Sequence, residues 1–270
     1  MRIGKNIGFK SKFSDFLLWS GLIIAIIALI MQFAIVLIEY KPITVGTPNP
    51  HNLWTSDGPW VGIWTMISTF TIQSNFLVFL FFCFVLTNRF HDNRAQFVFG
   101  RFSLAITVYI TVTLIVFFAV LFKPMINNLD SSNSISILNF INTFLLHLIV
   151  PVIVILYFMF SAGKYYWKLG KQTYLWIPII SIYMFVYLGY ALAKGNFVGF
   201  LRKGTTEIDY SFPYPFLDFH KSLTTFFIYI FAILILYIIL MLLFTFYNNI
   251  LYKKNNKPIA ALRDTNFKCK

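Results

Sequence analysis

At 270 residues, 59% hydrophobic and only 11% charged, with a mean hydropathy of +0.74, this chain is far more apolar than a soluble domain, in which about a quarter of residues are charged. That balance excludes the ordinary soluble classes and predicts an all-α, polytopic membrane protein. A net charge of +13 would suggest nucleic acid in a soluble protein, but here its distribution along the chain argues for a membrane instead.

Runs of about 18 or more apolar residues mark membrane spans, and six occur: Phe16–Ile38, Trp64–Leu86, Phe102–Phe122, Ile137–Phe160, Tyr174–Ala193 and Leu223–Tyr247. Each can cross a core of about 30 Å at 1.5 Å per residue. The first has a basic lead-in, but its run of 23 residues exceeds a signal-peptide core and no small-x-small site follows. It therefore reads as a retained helix. With the N-terminus inside, 16 Lys and Arg fall on the cytoplasmic side and 6 on the other. This bias predicts both termini in the cytoplasm and a multi-pass protein of the cell membrane, built as one transmembrane domain over residues 1–270. Lys253, Lys254 and Lys257 follow the last span closely, where anionic headgroups would meet them. Cys83 and Cys269 are too far apart to suggest a disulfide framework.

Polar residues are unevenly placed along the spans. Thr71-Ile72-Gln73-Ser74-Asn75 interrupts the second span, with Thr71 roughly 10 Å below the outer end at the helical rise. His147 lies in the fourth span, roughly 15 Å deep by the same rise. An ionisable residue at that depth is by default a candidate functional site. Gln32, Thr111, Thr113, Tyr183, Tyr187 and Tyr190 occupy the outer half as well, which suggests one polar layer and a cavity opening outward. Thr71, Ser74 and Asn75 share a helix face, as do Asn139, Thr143 and His147. Pro151 removes the amide that would bond the His147 carbonyl, so a bend and a freed carbonyl are expected there.

Each feature also has a plainer interpretation. A threonine in a span commonly bonds its own i−4 carbonyl, Asn75 could be interhelical glue, and His147 could be a hydrogen-bonded packing residue. No acidic residue lies inside a span, so a carboxylate relay is missing. His51, His91 and His220 are scattered on both sides of the membrane, so no metal is expected. No cofactor is expected either, since phosphate-loop, dinucleotide and G-x-S-x-G motifs are absent.

The outer loops carry the remaining signal. Residues 39–63 hold Pro42, Pro48, Pro50 and Pro59 with Gly46 and Gly58, which forbids regular helix. The outer loop 194–222 ends in Phe212-Pro213-Tyr214-Pro215-Phe216-Leu217-Asp218. Such long loops are often lids or binding loops, and this string should cover the cavity from outside.

Three pieces together resemble the androgen-induced-gene family and its bacterial six-pass relatives: Phe70-Thr71, His147 with Pro151, and Tyr214-Pro215-Phe216-Leu217-Asp218. The resemblance implies a threonine hydrolase acting on fatty-acid esters of hydroxy fatty acids, with Thr71 and His147 as its intramembrane pair. In that reading His147 takes the Thr71 proton. Ser74 or Asn75 supplies oxyanion donors, and Asn139, Thr143 or Asp218 orients the histidine. The partner is then a membrane lipid or fatty-acyl ester, with no nucleic acid. The rival reading is a non-enzymatic lipid-binding protein or small-solute carrier, favoured by the missing carboxylate.

Overall fold

A computed structural model describes residues 3–39, 60–88, 94–164, 166–167, 171–201 and 212–267, with backbone alone at 3–11, 39, 60–61, 88, 94–99, 171–180, 199–201 and 257–267. Among these residues the structure is all-α. The helices are α1 (Ile3–Glu39), α2 (Trp60–Ile67), α3 (Phe70–Asn88), α4 (Arg94–Val116), α5 (Phe122–Asn127), α6 (Ser134–Phe144), α7 (Val150–Ser161), α8 (Lys171–Leu201) and α9 (Leu223–Phe267). A π-helical turn, Phe117–Leu121, joins α4 to α5, and a second, Leu145–Ile149, joins α6 to α7. Gly58 and Gly204, on which the orientation of the outer loops bears, lie outside the described residues.

Helix α4 is the axle of the bundle. Every residue from Ser103 to Thr113 is buried, and a helix covered all round belongs in the interior. It packs against α3, α7 and α9, while α1 covers α3 and α7. Its threonines are made compatible with that burial locally. Thr107 Oγ1 donates to the Ser103 carbonyl at 2.7 Å and Thr111 Oγ1 to the Thr107 carbonyl at 2.6 Å. For Thr111 the plain reading therefore holds, and it takes no part in a polar cavity.

The outer faces are the reverse. Trp19, Ile23 and Ile30 on α1, and Ile228, Phe231, Leu243 and Phe246 on α9, are each more than half exposed. Apolar surface of that extent is unstable in water and is the solvated face in lipid. Five stretches of the described residues are long and apolar enough to cross a membrane: Lys12–Ile38, Phe70–Thr87, Gly100–Asn127, Ser134–Ser161 and Leu223–Asn256. The expected fifth span, Tyr174–Ala193, lies within α8, part of which is described by its backbone alone.

Two element boundaries differ from expectation. The span expected as Trp64–Leu86 is two helices, broken at Ser68 and Thr69. Helix α8 runs on to Leu201, so the first eight residues assigned to the long outer loop are helical. The glycines at 195 and 199 did not end it, because tertiary packing outweighs a propensity cost of about 1 kcal/mol per glycine. Gly195 is in fact where the ring of Phe212 seats. The fourth span begins at Ser134, where Asn133 Oδ1 caps the helix by accepting from the amides of Ile135 and Ser136.

Candidate active site

The break before α3 delivers Thr71 to a helix start. After the amide of Ser68 bonds the Trp64 carbonyl, the chain tightens, with the Thr69 amide on the Met66 carbonyl. Thr69 then serves as the N-cap of α3: its Oγ1 accepts from the Ile72 amide at 3.4 Å and its carbonyl from the Gln73 amide at 3.2 Å. Inside a membrane the backbone groups freed at such a break need partners. Helix α8 supplies one and braces the side chains around the break. The Tyr187 hydroxyl donates to the Ser68 carbonyl at 3.2 Å, and the Tyr190 hydroxyl meets Ser68 Oγ at 2.7 Å and Trp64 Nε1 at 3.1 Å.

His147 sits in the π-helical turn between α6 and α7. There the amide of Val150 bonds the carbonyl of Leu145, five residues back. The next amide in that register belongs to residue 151, which is proline and has none. That register leaves the Leu146 carbonyl without an amide, one residue before the carbonyl an α-helical count names. Asn75 Nδ2 meets it at 3.1 Å and also donates to the Thr71 carbonyl at 2.9 Å. One buried amide group thereby ties the start of α3 to the π turn of the neighbouring helix. The second π turn faces the first: the ring of Phe117 stacks on the His147 ring with centroids 4.2 Å apart. Isolated π turns of this kind are frequent at functional sites.

The hydrogen bonds at the centre have a determined direction. His147 Nδ1 lies 2.9 Å from the Thr143 carbonyl oxygen, which can only accept, so Nδ1 carries the proton. In the neutral ring Nε2 then holds the lone pair, and it lies 3.0 Å from Thr71 Oγ1. Thr71 donates there, which leaves its oxygen free to accept from the Tyr214 hydroxyl at 3.2 Å. The Tyr214 oxygen in turn receives the Thr71 amide at 3.3 Å. Burial raises the Tyr214 phenol above its ordinary value, opposed by hydrogen bonds from Thr71 and the Phe70 backbone. It is a protonated donor at neutral pH.

Tyr214 is held there by its own segment. Pro215 starts a single 3-10 turn, Pro215–Leu217, closed by the Leu217 amide on the Tyr214 carbonyl at 3.0 Å. Phe216 and Leu217 are buried. The Tyr214 ring stacks on Phe216 at 5.2 Å, which stacks on Tyr229 of α9 at 5.0 Å. Tyr214, Phe216 and Leu217 of the string form part of the cavity wall.

Other residues expected at the site do different work. Ser74 Oγ donates to the Thr71 carbonyl at 3.1 Å and meets Thr113 Oγ1 of α4 at 3.1 Å. Ser74 and Asn75 thus spend their donors on backbone and interhelical bonds, and neither is aimed at an oxyanion beside the Thr71 hydroxyl. Thr143 Oγ1 bonds the Asn139 carbonyl at 2.7 Å, so neither of these side chains orients the histidine; the Thr143 backbone does. Asp218 is turned away from the site: Oδ1 accepts from the His220 amide at 3.1 Å and Oδ2 lies 3.8 Å from Lys221 Nζ. Gln32 pairs with Asn142 at 2.8 Å, gluing α1 to α6. Sequence reasoning missed the Ser68–Thr69 break, although Ser and Thr before an apolar run are a helix-start signal. It also missed Phe117, for which a phenylalanine among 33 gives no signal at all.

Beside the Thr71 hydroxyl a cavity of about 730 Å³, its open mouth included, runs between α4, α8 and α9. Its polar lining is Thr71, Thr113, Tyr187 and Tyr214; Thr71 is bonded to Tyr214 directly and its carbonyl to Thr113 through Ser74. The rest is aliphatic or aromatic, and Phe185 at the lip is more than half exposed on the outer face of α8. Comparison of the chain with protein-family profiles, curated proteins and solved structures finds no match.

Proposed function

We propose that this chain is a membrane-embedded hydrolase or acyl-transfer enzyme acting on lipid fatty-acyl esters, with Thr71 as nucleophile and His147 as base. The observation that carries the reading is the 3.0 Å approach of His147 Nε2 to Thr71 Oγ1, with Nδ1 anchored on a carbonyl. That is the nucleophile–base–orienter pattern of activated hydroxyls, and it supplies the proton acceptor that a threonine needs. The mostly apolar lining of the cavity suits an acyl chain, and Thr71 and Tyr214, hydrogen-bonded to each other, face it where an ester would lie. The resemblance of the Thr71, His147 and Tyr214–Asp218 motifs to the androgen-induced-gene family points the same way.

In the reaction, Thr71 Oγ bonds the acyl carbon as its proton passes to His147 Nε2, and the carbonyl electron pair moves onto oxygen. Collapse re-forms the carbonyl and breaks the ester bond, and the departing alkoxide takes the proton from His147. Water, or a second alcohol, then attacks the acyl carbon as it gives its proton to the same nitrogen; collapse breaks the bond to Thr71 Oγ, which takes that proton back from His147, and the fatty acid or new ester leaves.

Purified protein in lipid nanodiscs should hydrolyse a fluorogenic long-chain acyl ester, and a fluorophosphonate probe should label it at Thr71. Absence of both turnover and labelling favours the rival reading, a lipid-binding protein or carrier with an outward cavity.

The same reading has six spans in the cell membrane with both termini cytoplasmic, supported by the distribution of Lys and Arg. Cysteines placed by Gly58→Cys and Gly204→Cys, in a Cys83→Ala, Cys269→Ala background, should react with an impermeant maleimide in intact cells. Protection at both positions reverses the orientation and moves the site to the cytoplasmic leaflet.

A further inference from the structure

With the donors of Ser74 and Asn75 committed to other acceptors, a hydrolytic site here still needs groups to hold the negative oxygen of its tetrahedral intermediate. Removing one such donor commonly costs about 10²–10³ in kcat, so the question of which groups do this decides how the site works. Two donors remain beside Thr71. One is its own amide, which lies in the first turn of α3, where backbone N–H groups have no helical partner and the helix dipole favours negative charge. The other is the Tyr214 hydroxyl.

Their geometry is informative. The Tyr214 oxygen is 3.2 Å from Thr71 Oγ1 and 3.3 Å from the Thr71 nitrogen. It therefore stands about where the carbonyl oxygen of an acyl group attacked by Thr71 would arrive. In the resting site the Tyr214 proton is spent on the nucleophile's own oxygen, as the chain of donors ending on the Thr143 carbonyl requires. Once Oγ bonds carbon it becomes an ester oxygen, a weak acceptor, while the former carbonyl oxygen becomes the strongest acceptor present. The donor should then transfer to it. Only the phenol need shift, because the Thr71 amide is fixed by the helix.

Resting on the hydrolase reading, we infer that Tyr214 is a catalytic residue, which together with the Thr71 amide forms the oxyanion site. Its hydroxyl exchanges an acceptor on Thr71 for one on the substrate, and it makes no covalent bond. Pro215 and the stacked rings of Phe216 and Tyr229 hold the phenol in reach. This also gives the string a chemical task beside its place in the cavity wall.

The test is Tyr214→Phe, which keeps the ring and removes the donor. Its kcat should fall by about 10²–10³ with KM little changed. An alkyl trifluoromethyl ketone, which forms a tetrahedral adduct with a nucleophilic hydroxyl, should bind more weakly by a similar factor, while a long-chain alcohol of equal length should bind as before. Should Tyr214→Phe fail to fold, 3-fluorotyrosine and 4-aminophenylalanine at this position provide the comparison. The first keeps the hydroxyl donor and should keep turnover; the second weakens it and should lose turnover. Wild-type turnover with an unchanged or higher kcat in Tyr214→Phe overturns the assignment and leaves the hydrolase reading standing. Wild-type protein that neither turns over an acyl ester nor binds the ketone brings down both.

Discussion

Alanine at Thr71 and alanine at His147 should each reduce acyl-ester hydrolysis by about 10³-fold or more, and the double substitution should be no worse than the poorer single one. The reason is that the two groups act on one proton. Without the Thr71 oxygen there is nothing for the imidazole to deprotonate, and without the imidazole the hydroxyl stays a weak nucleophile. Independent binding contacts would multiply their losses; a shared proton transfer cannot. Thermal stability should fall modestly beside that rate loss: Thr71→Ala gives up the bonds to His147 and Tyr214, and His147→Ala those to Thr71 and the Thr143 carbonyl, each worth about 1 kcal/mol net. Rates for the four proteins, measured on one ester at saturation, check the prediction. Losses that multiply would assign the two residues to separate binding roles.

The two halves of this pair were legible in the sequence to different degrees, and the reason is physical. A histidine in an apolar run is visible because charge and hydrogen-bonding capacity are costly in lipid. The polar stretch opening at Thr71 was visible for the same reason. What the sequence concealed was the backbone between and around them. Pro151 announces a missing amide, but whether the orphaned carbonyl is that of residue 147 or 146 depends on whether the helix keeps an α or a π register. That is decided by packing against α3, where Asn75 waits for it. The orienter of His147 was hidden on similar grounds. Side chains can be listed from a sequence, whereas the Thr143 carbonyl is a group every residue has and only conformation makes special. Gln73 makes the same point: its carbonyl oxygen accepts from Tyr183 and its amide donates to Ile67, a structural role that its polarity alone could not distinguish from a catalytic one.

Gly163→Ala, far from this chemistry in the chain, should be among the most destabilising single substitutions. After α7 ends at Ser161 the chain reverses at Gly163, whose φ is +83°, in the left-handed region where a side chain costs about 1–2 kcal/mol. An added Cβ would also lie 2.7 Å from the Leu251 Cβ and 3.1 Å from its carbonyl carbon on α9. The backbone atom cannot step aside, and overpacking of this sort costs about 1–3 kcal/mol more. The reversal is fastened by the Gly163 amide on Asn248 Oδ1 at 2.8 Å and by Asn249, which pairs with both backbone groups of Trp167 at 2.8 and 2.9 Å. Pushing the turn away strains those bonds together. Thermal unfolding in detergent should show a Tm lowered by several degrees, while kcat per folded molecule stays near wild type. Gly163→Asn separates the two causes, because asparagine tolerates positive φ yet brings the same Cβ. A loss like that of alanine assigns the cost to the contact with α9, and a clear recovery assigns it to the backbone. An unchanged Tm in Gly163→Ala would show that α7 and α9 are not joined tightly at this turn.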